Sequence, residues 1–371
     1  MKEMILETKG VDYAFYRLPG LIVTKKGTLI FYCEARSDIG DLSQMDLIMR
    51  RSTDDGKTWS NKIVIKRIAN AAVDNPVMIS DDTTGDIHLI YCVNACECFY
   101  RKSVDDGITW TDETNITYAV EEFRQKFEWS KLGTGPGHGI CTKSGRLILP
   151  IWFGSSRVIE RSSKSDSVVV PEWQLERTVK DTAVSALYSD DNGKTWTCGG
   201  IIKSNHDVVS PNETSLAEMS DGSLLFNIRN ESDWSERALS ITQNEGETFS
   251  IPCLEVGLYD PACQGSMFNF ESNGKNIILF CNCNTDRNKA AGFYDTRRNL
   301  VIRCSKDDGK TWELIYELND KGGYSDIYRN PMTGTIFVCY ETGWQDGQIG
   351  NQPAHIALAR LKYENDRMIL A

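Results

Sequence analysis

The stretch that decides the fold reads Ser52-Thr53-Asp54-Asp55-Gly56-Lys57-Thr58-Trp59, and four more copies of it follow along the chain. They occupy residues 103–110, 189–196, 242–249 and 305–312. In such a sequence the acidic side chain accepts backbone N–H groups of its own turn, and the glycine supplies a positive φ. The Thr and Trp suit the start of the next strand, with the Trp packed between neighbouring units. Each copy therefore predicts a hairpin corner whose Asp residues hold the turn and take no part in catalysis.

The spacing of these corners predicts a repeat architecture. About 50–85 residues separate successive copies, which suits four-stranded units, and 371 residues then make about six of them. Because stacked units share one body, we expect a single domain over residues 1–371. The predicted fold class is all-β, a β-propeller of four-stranded antiparallel blades.

Three segments depart from the repeat pattern. The fourth copy ends in Phe249 in place of Trp, which leaves that turn in doubt. Residues 111–130 are predicted as a helical or irregular excursion, and the polar residues 155–181 as a long surface loop.

Composition limits the partners, the cellular compartment and the cofactors that we expect for this protein. The net charge of −11 argues against nucleic acid as a partner, since phosphate binding requires a basic surface. An anionic substrate would need a local basic island in this acidic protein. The twelve cysteines fall largely in apolar runs, which favours free thiols in a reducing compartment. Cys92, Cys96 and Cys98 lack a matching Cys or His pair at zinc-site spacing, so we expect no metal and no cofactor.

The chain shows no export or membrane signal. Its first residues are partly acidic and carry no apolar core of signal length, and no run reaches the roughly 18 apolar residues of a membrane span. We expect a cytoplasmic protein as written, with a secreted or periplasmic location open if a leader has been removed. The sequence does not indicate an oligomeric state.

An early motif, Tyr16-Arg17-Leu18-Pro19, precedes the repeated corners. Together they resemble the bacterial sialidase (exo-α-neuraminidase) family with Asp-box (BNR) repeats. The resemblance extends from about residue 13 to about residue 345. It implies a six-bladed β-propeller with the active site at one end of the central axis. It also implies a glycoside hydrolase that acts on sialylated glycans.

The resemblance identifies arginines that grip the substrate carboxylate. They are Arg17, Arg229 in Phe-Asn-Ile-Arg and Arg297 in Arg-Arg-Asn-Leu, with the adjacent Arg298 as the alternative to Arg297. A guanidinium keeps its proton and offers a planar fork to a carboxylate, so three of them suit an acid sugar. Arg36, in Glu-Ala-Arg, resembles an arginine that lines the same pocket.

The resemblance also implies a catalytic set of Asp41 as acid/base, Glu213 as base and Tyr324 as nucleophile. The reacting carbon of a sialoside bears a carboxylate, which would repel an anionic nucleophile. A neutral phenol avoids this repulsion, but its pKa near 10 requires a base beside it. Asp38 and Asp46 are alternatives to Asp41, and Glu218 is an alternative to Glu213.

Three further residues are considered beside the catalytic set and the arginines. Asp74 resembles a contact to a substrate hydroxyl or amide, or it is a turn residue. Gln264 in Asp-Pro-Ala-Cys-Gln-Gly-Ser reaches substrate, or its amide braces a loop. His138 lies in a second family-like loop, 135–140, and is predicted to be structural.

These residues favour a retaining exo-α-sialidase that hydrolyses terminal α-linked sialic acid. One alternative keeps the scaffold and changes the outcome: a trans-sialidase, an intramolecular trans-sialidase or a hydrolase of a related ulosonic acid. Another is a non-catalytic glycan-binding propeller, which would have no need of a nucleophile and its base.

Overall fold

The computed structural model describes residues 3–155, 181–289, 296–344 and 353–371. Residues 156–180, which form nearly all of the predicted surface loop, lie outside this part of the chain. Six sheets, each with an antiparallel body, form the blades of a β-propeller, so the predicted all-β, six-bladed fold is confirmed. The strands are apolar and rich in β-branched and aromatic residues, as a pleated and largely buried sheet requires.

The first three blades contain four to six strands each. The chain begins with β1 (Met4–Thr8) and then builds blade 1 from β2 (Phe15–Val23), β3 (Leu29–Arg36), β4 (Met45–Ser52) and β5 (Ile63–Lys66). Blade 2 contains β6 (Val73–Ser80), β7 (Ile87–Val93), β8 (Glu97–Ser103), β9 (Thr114–Asn115) and, parallel to β6, β11 (Gly137–His138). Blade 3 contains β10 (Lys131–Thr134), β12 (Ile140–Cys141), β13 (Leu147–Ser155), β14 (Asp181–Ser189), β15 (Thr197–Cys198) and β16 (Ile202–Lys203).

The last three blades are more regular. Blade 4 contains β17 (Thr214–Glu218), β18 (Leu224–Ile228), β19 (Glu236–Thr242) and β20 (Cys253–Tyr259). Blade 5 contains β21 (Ser266–Ser272), β22 (Lys275–Cys283), β23 (Arg298–Ser305) and β24 (Glu313–Lys321). Blade 6 contains β25 (Ser325–Arg329), β26 (Thr335–Thr342), β27 (His355–Glu364) and β28 (Arg367–Leu370), and β1 also pairs with β27. Strands from both ends of the described chain therefore close the ring.

Helical structure is confined to short segments of the described chain. The predicted excursion holds α1 (Thr117–Glu121) and a 3-10 turn (Glu122–Gln125), and a second 3-10 turn spans Arg287–Lys289. No helix in the described ranges is long and apolar enough to cross a membrane.

The repeated corners keep one hydrogen-bonding scheme, including the degenerate copy. In the first copy Asp54 Oδ1 accepts the N–H of Thr58 at 2.9 Å, and Gly56 has φ +77°. In the fourth copy the amide oxygen of Asn244 accepts the N–H of Thr248 at the same 2.9 Å, and Gly246 has φ +95°. An amide oxygen can replace the carboxylate because the turn needs an acceptor and does not need a charge. The fourth turn is thus intact.

The aromatic residues after the corners pack between neighbouring blades, as predicted. The ring of Trp196 meets Tyr100 of the preceding blade. The rings of Trp59, Phe249 and Trp312 meet phenylalanines of their own blades, and each ring also packs against a buried cluster shared with the preceding blade. The corner glycines approach the preceding blade closely, since a Cβ on Gly56 would lie 2.9 Å from Phe337 of blade 6.

Strand direction separates the corners from the other end of the propeller. The first strands of neighbouring blades contact one another and surround the axis. Each corner follows the third strand of its blade. Because neighbouring strands of a blade run in opposite directions, the first strand begins, and the second strand ends, at the end of the propeller opposite the corners. Loops at that second end gather residues from all blades near the axis.

Candidate active site

The predicted functional residues come from the end of the propeller opposite the corners. Arg17 lies on β2, and Glu213 and Tyr324 immediately precede β17 and β25. Arg229 follows β18, and Arg297 precedes β23. These positions are where first strands begin, second strands end and third strands begin, so the fold brings distant parts of the chain to one place.

Tyr324 lies at the centre of this group. Its hydroxyl donates a hydrogen bond to Glu213 Oε1. Arg229 Nη1 donates to Glu213 Oε2 at 2.6 Å and to the Tyr324 hydroxyl oxygen at 3.0 Å. The hydroxyl thus faces a base and a cation at once, an arrangement that can accept the phenolic proton and stabilise the oxygen left behind.

Two more guanidinium groups flank the Tyr324 ring. The Cζ of Arg17 lies 5.3 Å from the ring centre, and the Cζ of Arg297 lies 5.1 Å from it. With Arg229 at the hydroxyl, all three predicted arginines surround one side chain. Arg298 instead directs its guanidinium to Asp320, at 3.7 Å. Of the two candidates, the structure brings Arg297 to the site.

The arginines are accompanied by carboxylates. Arg17 Nε donates to the fully buried Glu341 at 2.5 Å, and Arg229 Nη2 donates to Glu231 at 3.0 Å. Two of the three arginines, Arg17 and Arg229, are therefore paired with carboxylates. Each of these two guanidinium groups is held on one edge by its partner, which fixes the direction in which its remaining N–H groups can meet an anion.

The three aspartates in the β3–β4 region lie in different surroundings. Asp41 Oδ1 accepts from Arg36 Nη1 at 2.9 Å, and its side chain is 65% exposed. Asp46 is buried and bonded to Tyr13 and Arg67. Asp38 accepts the N–H of Ile39 in its own loop. Of the three, Asp41 is the one that the structure joins to Arg36, the arginine predicted to line the pocket.

Glu218 lies at the far end of β17 from Glu213. Its Oε2 accepts the backbone N–H of Lys143 at 3.3 Å, and its own N–H donates to Asn269. Strand β17 thus separates it from Tyr324, and the structure brings Glu213 to the phenol.

Asp74 and Gln264 are buried and have protein partners. Asp74 accepts from Asn75 Nδ2 at 3.1 Å and from Ala95 N at 2.9 Å. The amide of Gln264 donates to Ser325 O and accepts from Ser325 N, both at 3.0 Å. Because Ser325 directly follows Tyr324, Gln264 braces the segment that carries the phenol, which is the second of the two roles predicted for it.

His138 is also braced within the fold. Its Nδ1 lies 2.8 Å from Asp326 Oδ1, and both side chains are buried. Its ring packs on Phe268 and Tyr328 near the axis. These contacts agree with a structural residue.

Burial strongly affects ionisation at Tyr324. Removal from water raises the pKa of the phenol well above its usual value, and the negative charge of Glu213 raises it further, against the opposing effect of Arg229 and Arg297. The free site therefore holds a neutral phenol. A nucleophilic oxygen arises only when Glu213 takes the proton, which makes the contact between these two residues essential to any nucleophilic role.

Two buried carboxylates bonded to the predicted arginines escaped the sequence analysis. Glu34 and Glu341 each end an otherwise apolar run on a second strand, in Phe-Tyr-Cys-Glu and Val-Cys-Tyr-Glu. Glu341 is bonded to Arg17 and also accepts the N–H of Leu18 and of Tyr324, both at 3.2 Å. A glutamate within an apolar strand sequence is predicted to be buried, and a buried carboxylate requires a cationic partner. This reasoning would have identified Glu34 and Glu341 from the sequence.

Asp74 should make stability depend on pH. Burial, followed by the charge of Glu34, raises its pKa from 3.8 to about 7. Between these two values the folded protein binds the proton and the unfolded chain does not, so the free energy of unfolding falls as pH rises. We expect the free energy of unfolding of the wild type to fall by about 2–3 kcal/mol between pH 5 and pH 8 because of Asp74. The variant Asp74→Asn, which does not titrate, should not show this decrease.

Urea denaturation of both proteins at pH 5 and pH 8 measures the difference. Other titrating groups cancel, because each pH compares wild type with the variant. Parallel changes in stability for the two proteins would contradict the assignment of a proton to Asp74.

Among the described residues, no group of three or more His, Cys, Asp or Glu side chains is arranged to hold a metal ion. The twelve cysteines are free thiols, most of them buried in the sheets.

Known proteins are similar to this chain over most of its length. It is 26% identical to a sialidase of Bacteroides fragilis over 368 residues, covering 89% of this chain and 60% of the relative. It is 24% identical to a sialidase of Micromonospora viridifaciens over 361 residues, covering 88% of this chain and 50% of the relative. The chain thus spans only half to three fifths of the length of these two proteins.

Solved structures share the fold. The Hadza microbial sialidase Hz136 superposes with a TM-score of 0.74 at 23% identity, covering 96% of this chain and 68% of that one. The intramolecular trans-sialidase from Ruminococcus gnavus superposes with a TM-score of 0.71 at 17% identity, covering 99% and 98%. A family model described as a BNR repeat-like domain matches residues 63–338. The chain therefore belongs to the BNR repeat-like family, and its predicted kinship with the bacterial sialidases is confirmed.

Proposed function

We propose that this protein is a retaining exo-α-sialidase that hydrolyses terminal α-linked sialic acid from glycans. The observation that carries the proposal is the contact of the Tyr324 hydroxyl with both Glu213 and Arg229, inside a group of three arginines. A glycan-binding protein needs arginines for an acid sugar, but it has no need of a phenol held on a base. Its relatives named sialidase support the same reaction class.

The substrate carboxylate binds among Arg17, Arg229 and Arg297. Charge-assisted hydrogen bonds to a guanidinium contribute roughly 1.5–3 kcal/mol each, so this anchor sets the orientation of the sugar. Since these arginines surround Tyr324, the anomeric carbon that bears the carboxylate comes next to the phenolic oxygen.

In the first step Tyr324 attacks the anomeric carbon as Glu213 takes its proton. The glycosidic bond breaks, and Asp41 gives its proton to the departing oxygen. In the second step Asp41 takes a proton from water, the water oxygen bonds to the anomeric carbon, and Tyr324 leaves and recovers its proton from Glu213. Two displacements at one carbon retain the anomeric configuration.

Incubation with a sialyl glycoside, followed by NMR during the first minutes, tests the proposal. Free sialic acid released first as the α-anomer supports a retaining hydrolase. An anhydro sugar or a product transferred to the acceptor would assign the outcome to a trans-sialidase type of reaction. Tight binding without any turnover would favour a glycan-binding propeller.

A further inference from the structure

Glu34 lies beside Arg36 and is bonded on both carboxylate oxygens. It is 1% exposed on strand β3. Its Oε2 accepts from Arg36 Nε at 2.8 Å and from Arg36 Nη2 at 2.5 Å, and its Oε1 accepts from Asn75 N at 2.8 Å. Residues two apart on a strand share a face, which places this acid directly beside this base.

The pairing fixes which edge of the Arg36 guanidinium is left to contact Asp41. With Nε and Nη2 held by Glu34, Nη1 meets Asp41 Oδ1 at 2.9 Å. The Arg36 side chain is 3% exposed, whereas that of Asp41 is 65% exposed. A buried group held by two bonds thus anchors a carboxylate that stands on an exposed loop.

The pairing also balances charge. An uncompensated guanidinium beside Asp41 would favour its ionised form, and an acid catalyst must carry a proton when the glycosidic bond breaks. Glu34 supplies the opposing charge, and its field extends to neighbouring Asp74, whose pKa it helps to raise.

We infer that Glu34 is a positioning residue for the acid/base step, which fixes Arg36 against Asp41 and offsets the charge that would otherwise draw the proton from Asp41. The inference rests on the proposed function. Glu34 itself neither gives nor takes a proton: the proton passes from Asp41 to the glycosidic oxygen as the bond to the anomeric carbon breaks.

Glu34→Gln tests this role because it keeps the shape and removes the charge. We expect the alkaline limb of the kcat/KM profile to move down by about one pH unit. On a galactose-linked sialoside the loss of kcat should exceed the loss on an aryl sialoside by about tenfold or more, because an aryloxide departs without a proton. Glu34→Asp, which keeps the charge, should leave the alkaline limb in place even where kcat falls.

Glu7→Gln is a matched control. Glu7 is another buried carboxylate in ion pairs, with Arg50 at 2.6 Å and Lys62 at 3.1 Å, away from the arginine group. The Glu7→Gln variant should be less stable than wild type but should keep the wild-type ratio of kcat on the two sialosides. Equal losses on both substrates for Glu34→Gln, with an unmoved alkaline limb, would overturn the inference. Failure of the wild-type protein to cleave either sialoside would reject the proposed function instead, so the two failures are distinguishable.

Discussion

Replacing Tyr324 with phenylalanine should lower kcat by about a thousandfold or more, while the affinity for a sialic acid analogue changes little. The variant loses only the hydroxyl group, whose oxygen accepts from Arg229 and whose O–H donates to Glu213. The ring that Arg17 and Arg297 flank stays in place. This one substitution should therefore abolish formation of the covalent bond while leaving binding of the carboxylate intact. Steady-state kinetics measures the first effect, and calorimetric titration with the analogue measures the second.

Tyr328→Phe provides the comparison. Tyr328 is a partly buried tyrosine four residues further along, and its ring packs on His138 and Phe268. It should keep near-normal kcat. Should Tyr324→Phe also keep near-normal kcat, Tyr324 would not be the nucleophile, and the proposed two-step mechanism would be wrong.

Arg17→Ala should weaken binding of an acid sugar by about 10- to 100-fold, and that of its neutral carboxamide analogue far less. The reason is specific to charge: a guanidinium held by Glu341 can meet a carboxylate, and alanine removes that donor. Titration of the variant and the wild type with both ligands gives the ratio of the two dissociation constants for each protein, and this ratio should change in the variant.

A complication is that Arg17→Ala leaves Glu341 buried and without its cation. An unpaired buried carboxylate is strongly destabilising, which could disturb the Tyr324 segment that Glu341 also holds. The double variant Arg17→Ala/Glu341→Gln removes both charges and should recover part of the stability, since glutamine can still accept one of the two N–H groups that Glu341 binds, while the loss of acid-sugar binding remains. Equal losses for the acid and the neutral ligand would remove Arg17 from the carboxylate site.

Local sequence patterns predicted the architecture well because a turn is a local structure. The corner that contains Gly56 needs its positive φ and an acceptor two residues earlier, and both lie within eight residues. Even the degenerate copy kept its turn, since Asn244 offers the same oxygen. The side chains around Trp59 could not be named from the turn, because its cluster includes Phe337 and Leu358, which lie far away in the chain.

Candidates for the site could be named from motifs, but adjacent alternatives could not be separated. Arg297 and Arg298 differ by one position, and neighbouring residues at a strand start point to different sides. Asp46 was open as an alternative to Asp41, and only the fold shows that it is buried against Arg67.

By itself the sequence determined the number and chemistry of the corners, and so the all-β repeat fold, because each corner is specified by residues in contact along the chain. Tertiary structure alone decided the pairings at the site. Glu341 meets Arg17 across 324 positions, and Glu213 meets Tyr324 across 111. Such contacts depend on how six blades close around an axis, and closure places residues by geometry that no short stretch of sequence contains.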